Sequence, residues 1–173
     1  MSRYGCSETA RRATTTPVDR TPWTEPHIVE WSRLLLDSYR HWVGTELIER
    51  TPNALLRARR LFESSAVVVS HGTEPDPILN YGNQTALDLW EMSWDQFVTT
   101  PSRLTAEADD RIERGRMLER AKLDGYFDGY RGVRISSTGK RFLVERALIW
   151  NVIDPSGVRI GQAATFSHWS NVV

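Results

Sequence analysis

The chain has 173 residues, 40% hydrophobic and 25% charged, which suits one water-soluble globular domain with a modest extension. Its 22 basic and 22 acidic residues cancel, and this balance argues against nonspecific binding to nucleic acid or to a membrane surface. The single cysteine, Cys6, excludes an internal disulfide, and no apolar run approaches the roughly 20 residues of a membrane span, so we expect a cytoplasmic protein.

The first 64 residues divide into a tail and a helical extension. Residues 1–23 are rich in Ser, Thr and Arg and lack apolar periodicity, which predicts a flexible tail. Residues 24–64 predict two helices, the first beginning near Thr24 and the second spanning Pro52–Phe62 with Thr51 as its cap. The apolar face of the first helix repeats every three or four residues through Ile28, Trp31, Leu35, Tyr39 and Trp42.

Residues 65–170 predict an α+β core. A short β-branched strand at Ala66–Ser70 precedes a second strand at Pro77–Tyr81 and a short helix at Gln84–Trp90. Ser93 or Asp95 can cap a further turn that reaches Phe97, and Ala106–Lys122 is a charged, helix-favouring stretch with Ile112 and Leu118 on a narrow apolar stripe.

The C-terminal third predicts an antiparallel meander. Its strands are Gly132–Ser136, Arg141–Ile153 and Arg159–Trp169, and the last two are joined by a turn at residues 154–157 with Pro and Gly in favoured positions. The middle strand is apolar on both faces, so we expect helices to cover the sheet on both sides. Strict alternation places Phe142, Val144, Leu148, Trp150 and Val152 on one face and Leu143, Ala147 and Ile149 on the other.

Four segments carry a family resemblance that extends over residues 27–169. They are Val67–Trp94, Pro101–Glu107, Gly125–Phe142 and Ile160–Trp169. Together they resemble the MEKHLA domain, a PAS-related family, in its stand-alone form, because homeodomain and zipper heptads are missing. The resemblance implies a PAS-like five-stranded antiparallel sheet with helices on one face and the N-terminal helices packed on the other. It implies sensing or dimerisation, and DNA binding does not carry over.

Metal and cofactor chemistry have little support in the sequence. The four histidines, His27, His41, His71 and His168, lack the spacing of a zinc site. Haem-binding PAS domains use a His on their long helix, and Ala106–Lys122 has none. Photoactive flavin domains of this kind need a Cys near the ring, and Cys6 is the only thiol. The resemblance therefore argues against His-ligated haem and a covalent flavin adduct, and it leaves the cofactor unknown.

Catalysis also lacks a signature, so we expect a non-catalytic protein. The adjacent Ser70 and His71 point to opposite faces of a strand, and no nucleophile elbow or phosphate-binding glycine loop appears. A small enzyme on a cupped sheet remains the least favoured alternative, with Glu145, Asp88 and His168 as its acid and base candidates.

Two functions remain open. The first is a sensory or small-molecule-binding module for a small aromatic or apolar ligand, in a cavity of about a few hundred Å³. Its candidate pocket residues are Val68, Leu79, Tyr81, Asn83, Leu87, Trp90, Phe97, Trp150 and Phe166. Asn83 can equally close the strand-to-helix turn through its side chain. The second function is a protein-interaction module with a filled core that forms a homodimer through Trp31, Tyr39 and Trp42.

Overall fold

The computed structural model describes residues 21–106 and 111–172. The α-helices in these residues are α1 (Pro26–Val43), α2 (Ala54–Phe62), α3 (Gln84–Trp90), α4 (Trp94–Phe97) and α5 (Arg111–Asp124). The strands are β1 (Val67–His71), β2 (Leu79–Gly82), β3 (Tyr126–Ile135), β4 (Arg141–Ile153), β5 (Arg159–Phe166) and β6 (Trp169–Val172). Short 3₁₀ helices occupy Pro22–Thr24 and Ser102–Thr105. Within this part of the chain, no helix is both long and apolar enough to span a membrane.

The strands form one antiparallel sheet in the order β2-β1-β5-β4-β3. β6 continues the line of β5 along β4, because Leu148 pairs with Thr165 and Val144 pairs with Trp169 in an unchanged register. The predicted α+β fold with an antiparallel sheet is confirmed, and the last predicted strand is divided at Ser167 and His168.

The sheet is covered on both faces, as the apolar composition of β4 predicts. On one face Trp150 packs edge-on against Tyr39 of α1, with ring centroids 5.1 Å apart, and its indole donates to the Leu35 carbonyl. On the other face Phe142 packs edge-on against Trp90 of α3 at 5.1 Å. The sheet therefore lies between α1 on one face and α3 on the other.

The predicted alternation along β4 is wrong across its middle. Val144 and Ala147 line the same cavity, although an odd separation places residues on opposite faces of a regular strand. The cause lies next to them, because the pairing of β3 with β4 is irregular on both sides of Tyr130. As a result Phe142 and Trp150, which the sequence places together, lie on opposite faces of the sheet.

Some element boundaries agree with those predicted from local sequence signals, and others differ. The Gln84–Trp90 helix has the predicted bounds, and Ser93 caps α4 in a capping box with Gln96. The second helix is capped by Asn53 instead of Thr51. β3 begins at Tyr126, six residues before its predicted start, because it pairs with β4 from Arg141 to Trp150. Residues 1–20, with Cys6 and most of the predicted tail, lie outside the described residues.

The predicted long helix is described from Arg111 onward as α5. Ala106, its predicted first residue, instead forms an isolated β-bridge with Arg134. Residues 107–110 and the side chains of Ile112 and Leu118 lie outside the described part of the structure.

Candidate functional site

A cavity lies between the sheet and the helices α3 and α4. We call it the Trp90 cavity, and its volume is about 60 Å³. Its lining comes from five strands, two α-helices and the second 3₁₀ helix. The lining residues are Val69, Ser70, His71, Leu79, Trp90, Phe97, Ser102, Thr105, Tyr130, Arg134, Val144, Ala147, Ile149, Gln162, Ala163, Ala164 and Phe166.

The cavity is smaller than the few hundred Å³ expected from the sequence because aromatic rings fill the space. Trp90 lies at the centre of this cluster, with Phe142, Phe97 and Phe166 packed edge-on at ring distances of 5.1, 6.1 and 6.3 Å. Edge-to-face packing of this kind is favourable and leaves little free volume. Room for several waters or a very small ligand remains.

The polar groups of the cavity come from the sheet, from the second 3₁₀ helix and from Trp90. Arg134 lies over the Tyr130 ring at 5.0 Å, and its guanidinium donates to the Tyr130 hydroxyl at 2.6 Å. Gln162 is buried and its side-chain amide donates to Asn151 at 3.4 Å. The buried indole N–H of Trp90 has no acceptor among the described residues. The cavity therefore combines apolar walls with a few hydrogen-bonding groups, as ligand pockets do.

The predicted pocket residues separate into two groups. Leu79, Trp90, Phe97 and Phe166 line the Trp90 cavity. Val68, Tyr81, Asn83, Leu87 and Trp150 are buried but do not line it. Whether any of these residues binds a ligand remains a prediction.

Asn83 uses its whole side chain in structural hydrogen bonds. Its Oδ1 accepts the backbone N–H groups of Val68 at 2.9 Å and Ala86 at 3.2 Å. Its Nδ2 donates to the carbonyls of Ser64 at 3.1 Å and Ala66 at 2.8 Å. A side-chain amide has two donors and about two acceptor sites, so this residue has no remaining capacity for a ligand. The geometry therefore favours the turn-closing interpretation of Asn83.

Tyr81 lies in the packing between β2 and the neighbouring helices. It is fully buried and packs edge-on against Trp94 at 6.0 Å, and burial raises the pKa of its hydroxyl. The hydroxyl oxygen of Ser32 on α1 is close enough to oppose this rise, yet neither hydroxyl completes a hydrogen bond of good geometry within the described residues. Tyr81 thus acts as a core residue whose polar tip meets α1.

The aromatic residues predicted to form a dimer interface anchor α1 on its own sheet. Trp31 Nε1 donates to Ser70 Oγ at 2.9 Å, and Trp42 Nε1 donates to the Asn151 carbonyl at 2.9 Å. Tyr39 packs against Trp150. All three are partly buried by these contacts, so their rings are engaged within the chain, and the homodimer remains a prediction.

The acid and base candidates lie away from the Trp90 cavity. Asp88 is exposed on α3, and Glu145 and His168 line an open surface hollow with Ser167 and Trp169. Across residues 21–106 and 111–172, no three His, Cys, Asp or Glu side chains group as metal ligands would.

Sequence reasoning missed the polar side of the cavity. Gln162 and Arg134 lie in predicted strands, but the face of Arg134 depends on the irregular pairing around Tyr130. A signal for Gln162 was present, because a polar residue between apolar neighbours in a strand covered on both faces must be buried with a partner.

Comparison with known proteins identifies the fold and a family. The family model described as the MEKHLA domain matches residues 29–171. The homeobox-leucine zipper protein ATHB-9 of Arabidopsis thaliana is 26% identical over 156 residues, which cover 86% of this chain and 18% of that protein. The chain therefore spans about a fifth of the length of this curated relative.

Solved structures with a similar fold are PAS and light-oxygen-voltage domains. A PAS domain of a Colwellia psychrerythraea protein superposes with a TM-score of 0.57 and 13% identity, covering 68% of this chain and 94% of that one. A light-oxygen-voltage domain from work with a flavin analogue superposes with a TM-score of 0.53 and 14% identity. The match covers 70% of this chain and 87% of that one. At these identities the similarity shows the fold alone.

The Trp90 cavity does not fit a flavin. A cavity of about 150 Å³ holds one benzene ring, and a flavin has three fused rings. The volume here is about 60 Å³, with Trp90, Phe97 and Phe166 occupying the space beside the sheet. The cavity is therefore too small for a flavin.

Proposed function

The chain belongs to the MEKHLA domain family and has a PAS-like fold, and we propose that it is a non-catalytic sensory module whose Trp90 cavity binds a small, largely apolar molecule. The observation that carries the proposal is the cavity itself. It lies between the sheet and the helices α3 and α4, so a molecule inside it would contact the sheet and both helices.

The proposed response to binding passes through the sheet to α1. Ser70 lines the cavity, and its hydroxyl accepts the indole N–H of Trp31 on α1. Gln162 also lines the cavity, and its side-chain amide donates to the side chain of Asn151. The backbone carbonyl of Asn151 in turn accepts the indole N–H of Trp42. Both ends of α1 are thus one or two hydrogen bonds from the cavity wall. A ligand that prefers one packing of α1 would shift the population toward that packing.

A cavity-filling variant tests the proposal. Ala147 is 2% exposed and lines the cavity, so Ala147→Leu would reduce the space available to a ligand. Ala54→Leu, on the exposed first turn of α2, is the matched control. Protein purified from its native host is denatured, and the released small molecules are identified by mass spectrometry.

We expect a defined small molecule to accompany the wild type and Ala54→Leu, and its occupancy to fall sharply in Ala147→Leu. If a molecule is present and its occupancy is the same in all three proteins, the cavity is not its site. If no molecule accompanies the wild type and a screen of small metabolites does not raise its melting temperature, the sensory proposal fails in favour of the filled-core alternative.

A further inference from the structure

We infer that the ligand of the Trp90 cavity is a small, uncharged molecule that presents a hydrogen-bond acceptor to the indole N–H of Trp90. The inference rests on the proposed function, because it specifies the chemistry of the ligand for the same cavity. Three features of the cavity define that chemistry: a donor without an acceptor, the charges of the lining and the available volume.

The donor is the buried indole nitrogen of Trp90. The indole N–H can only donate, and Trp90 is 3% exposed with no acceptor for its Nε1 among the described residues. The indoles that hold α1 on the sheet differ. Those of Trp31, Trp42 and Trp150 donate to Ser70, Asn151 and Leu35 at 2.9, 2.9 and 3.3 Å.

The buried indole N–H that lacks an acceptor in the described residues thus belongs to the residue at the centre of the cavity's aromatic cluster. A buried donor without an acceptor is unfavourable. A ligand carbonyl, ether or similar acceptor satisfies this donor, and an alkane of the same size does not.

The charges of the lining favour an uncharged ligand. In the described part of the chain, no Asp or Glu lines the cavity, so a cationic ligand has no counter-ion there. The positive group is Arg134, whose guanidinium donates to the Tyr130 hydroxyl and to the Val133 carbonyl. The remaining walls are mainly aliphatic and aromatic, and an ion buried against such walls without a dedicated partner is strongly disfavoured.

The volume limits the ligand to a molecule smaller than benzene. A cavity of about 150 Å³ holds benzene, and the Trp90 cavity has about 60 Å³. Suitable probes are acetone, which carries a carbonyl acceptor, and 2-methylpropene, in which a methylene group replaces the carbonyl oxygen. Acetate has the same number of non-hydrogen atoms and carries a charge.

Titration followed by ¹H–¹⁵N NMR of the indole groups and ¹H–¹³C NMR of the methyl groups tests the inference. The Trp90 signal is identified by its loss in Trp90→Phe. We expect acetone to shift this signal and to bind more tightly than acetate. Trp90→Phe should weaken acetone binding about tenfold and leave the affinity for 2-methylpropene nearly unchanged, because only acetone loses a hydrogen bond. The control is Trp23→Phe, because Trp23 lies in the first 3₁₀ helix under Arg59, and it should leave both affinities unchanged.

The outcomes separate this inference from the proposed function. If Trp90→Phe leaves the affinity for acetone unchanged while acetone shifts the methyl groups of Val144 and Ile149, the cavity binds ligands but the acceptor inference is wrong. Tighter binding of acetate than of acetone also overturns it. If none of the probes shifts a cavity signal, ligand binding in this cavity fails altogether. If Trp90→Phe does not fold, the wild type decides: acetone must move a buried indole N–H signal downfield and 2-methylpropene must not.

Discussion

Asn83 and Val68 are joined by two hydrogen bonds that tie the start of α3 to β1. The Val68 N–H donates to Asn83 Oδ1 at 2.9 Å, and the Asn83 N–H donates to the Val68 carbonyl at 3.0 Å. With its bonds to Ala86, Ser64 and Ala66, one buried amide fixes a helix start, a strand and the segment before that strand. The position of α3, and with it that of Trp90, depends on this residue.

We therefore expect Asn83→Ala to lower the free energy of unfolding by about 3 kcal/mol or more, because it leaves several buried backbone groups without partners. Asn53 is the matched control. It caps α2 through a single bond to the Leu56 N–H at an exposed site, so Asn53→Ala should cost about 1 kcal/mol. Urea unfolding with an unchanged m-value measures both. Equal costs for the two variants would contradict the role assigned to Asn83.

The contacts of Glu91 with the turn between β3 and β4 should be lost in acid, which would lower the stability of the protein. It ends α3 in the left-handed conformation, with φ of 55°, and its carboxylate binds Lys140, Thr138 and Ser136. These bonds, that with Lys140 first, lower the pKa of Glu91 from 4.5 to about 2. Since the folded pKa is depressed, the stabilisation is present above pH 4.5 and is lost as the pH falls toward 2.

Unfolding free energies measured between pH 5 and 2 should therefore fall less steeply in Glu91→Gln than in the wild type, since the variant has no carboxylate to protonate. Lys140→Gln should also reduce the slope, because it removes the largest contribution to the pKa shift. An unchanged slope in both variants would show that the contacts of Glu91 add no pH-dependent stability.

Gly125 and Gly139 share a backbone conformation but differ in surroundings. Their φ angles are 88° and 87°, which any substitution to Ala strains by about 1–2 kcal/mol. A Cβ on Gly125 would lie 2.2 Å from a ring carbon of Trp42, whereas one on Gly139 meets open space. Gly125→Ala must also displace the indole that bonds to the Asn151 carbonyl.

We expect Gly125→Ala to destabilise the protein by at least about 2 kcal/mol more than Gly139→Ala, because overpacking adds to the common strain. Thermal unfolding measures the difference, and the indole NMR signal of Trp42 should shift only in Gly125→Ala. Equal melting temperatures for the two variants would show that Trp42 moves aside without cost.

How much the sequence predicts depends on whether the signal is local. The bounds of α3 follow from Asn83 and the apolar spacing behind it, and the 154–157 turn follows from its own Pro and Gly. The start of β3 at Tyr126 could not be found in this way, because its strand conformation comes from pairing with β4, across a hairpin.

The same limit applies to the candidate site. Large apolar residues such as Trp90 and Phe97 are predictable as core, and the cavity lies among them. The face of Trp150 is not predictable, because it depends on where strand alternation along β4 is interrupted by the irregular pairing beside Tyr130. Local patterns thus indicate which residues are buried, and the strand pairing decides which of them meet.

For Trp150, the sequence and the structure lead to different predictions. The sequence places it among the ligand contacts, but it is fully buried against α1, with its indole bonded to the Leu35 carbonyl. Trp150→Phe should therefore lower the unfolding free energy by about 1–3 kcal/mol, through the lost hydrogen bond and the weakened contact with Tyr39. The affinity for acetone, measured by NMR titration, should stay within about twofold of the wild-type value, because the cavity is on the other face of the sheet.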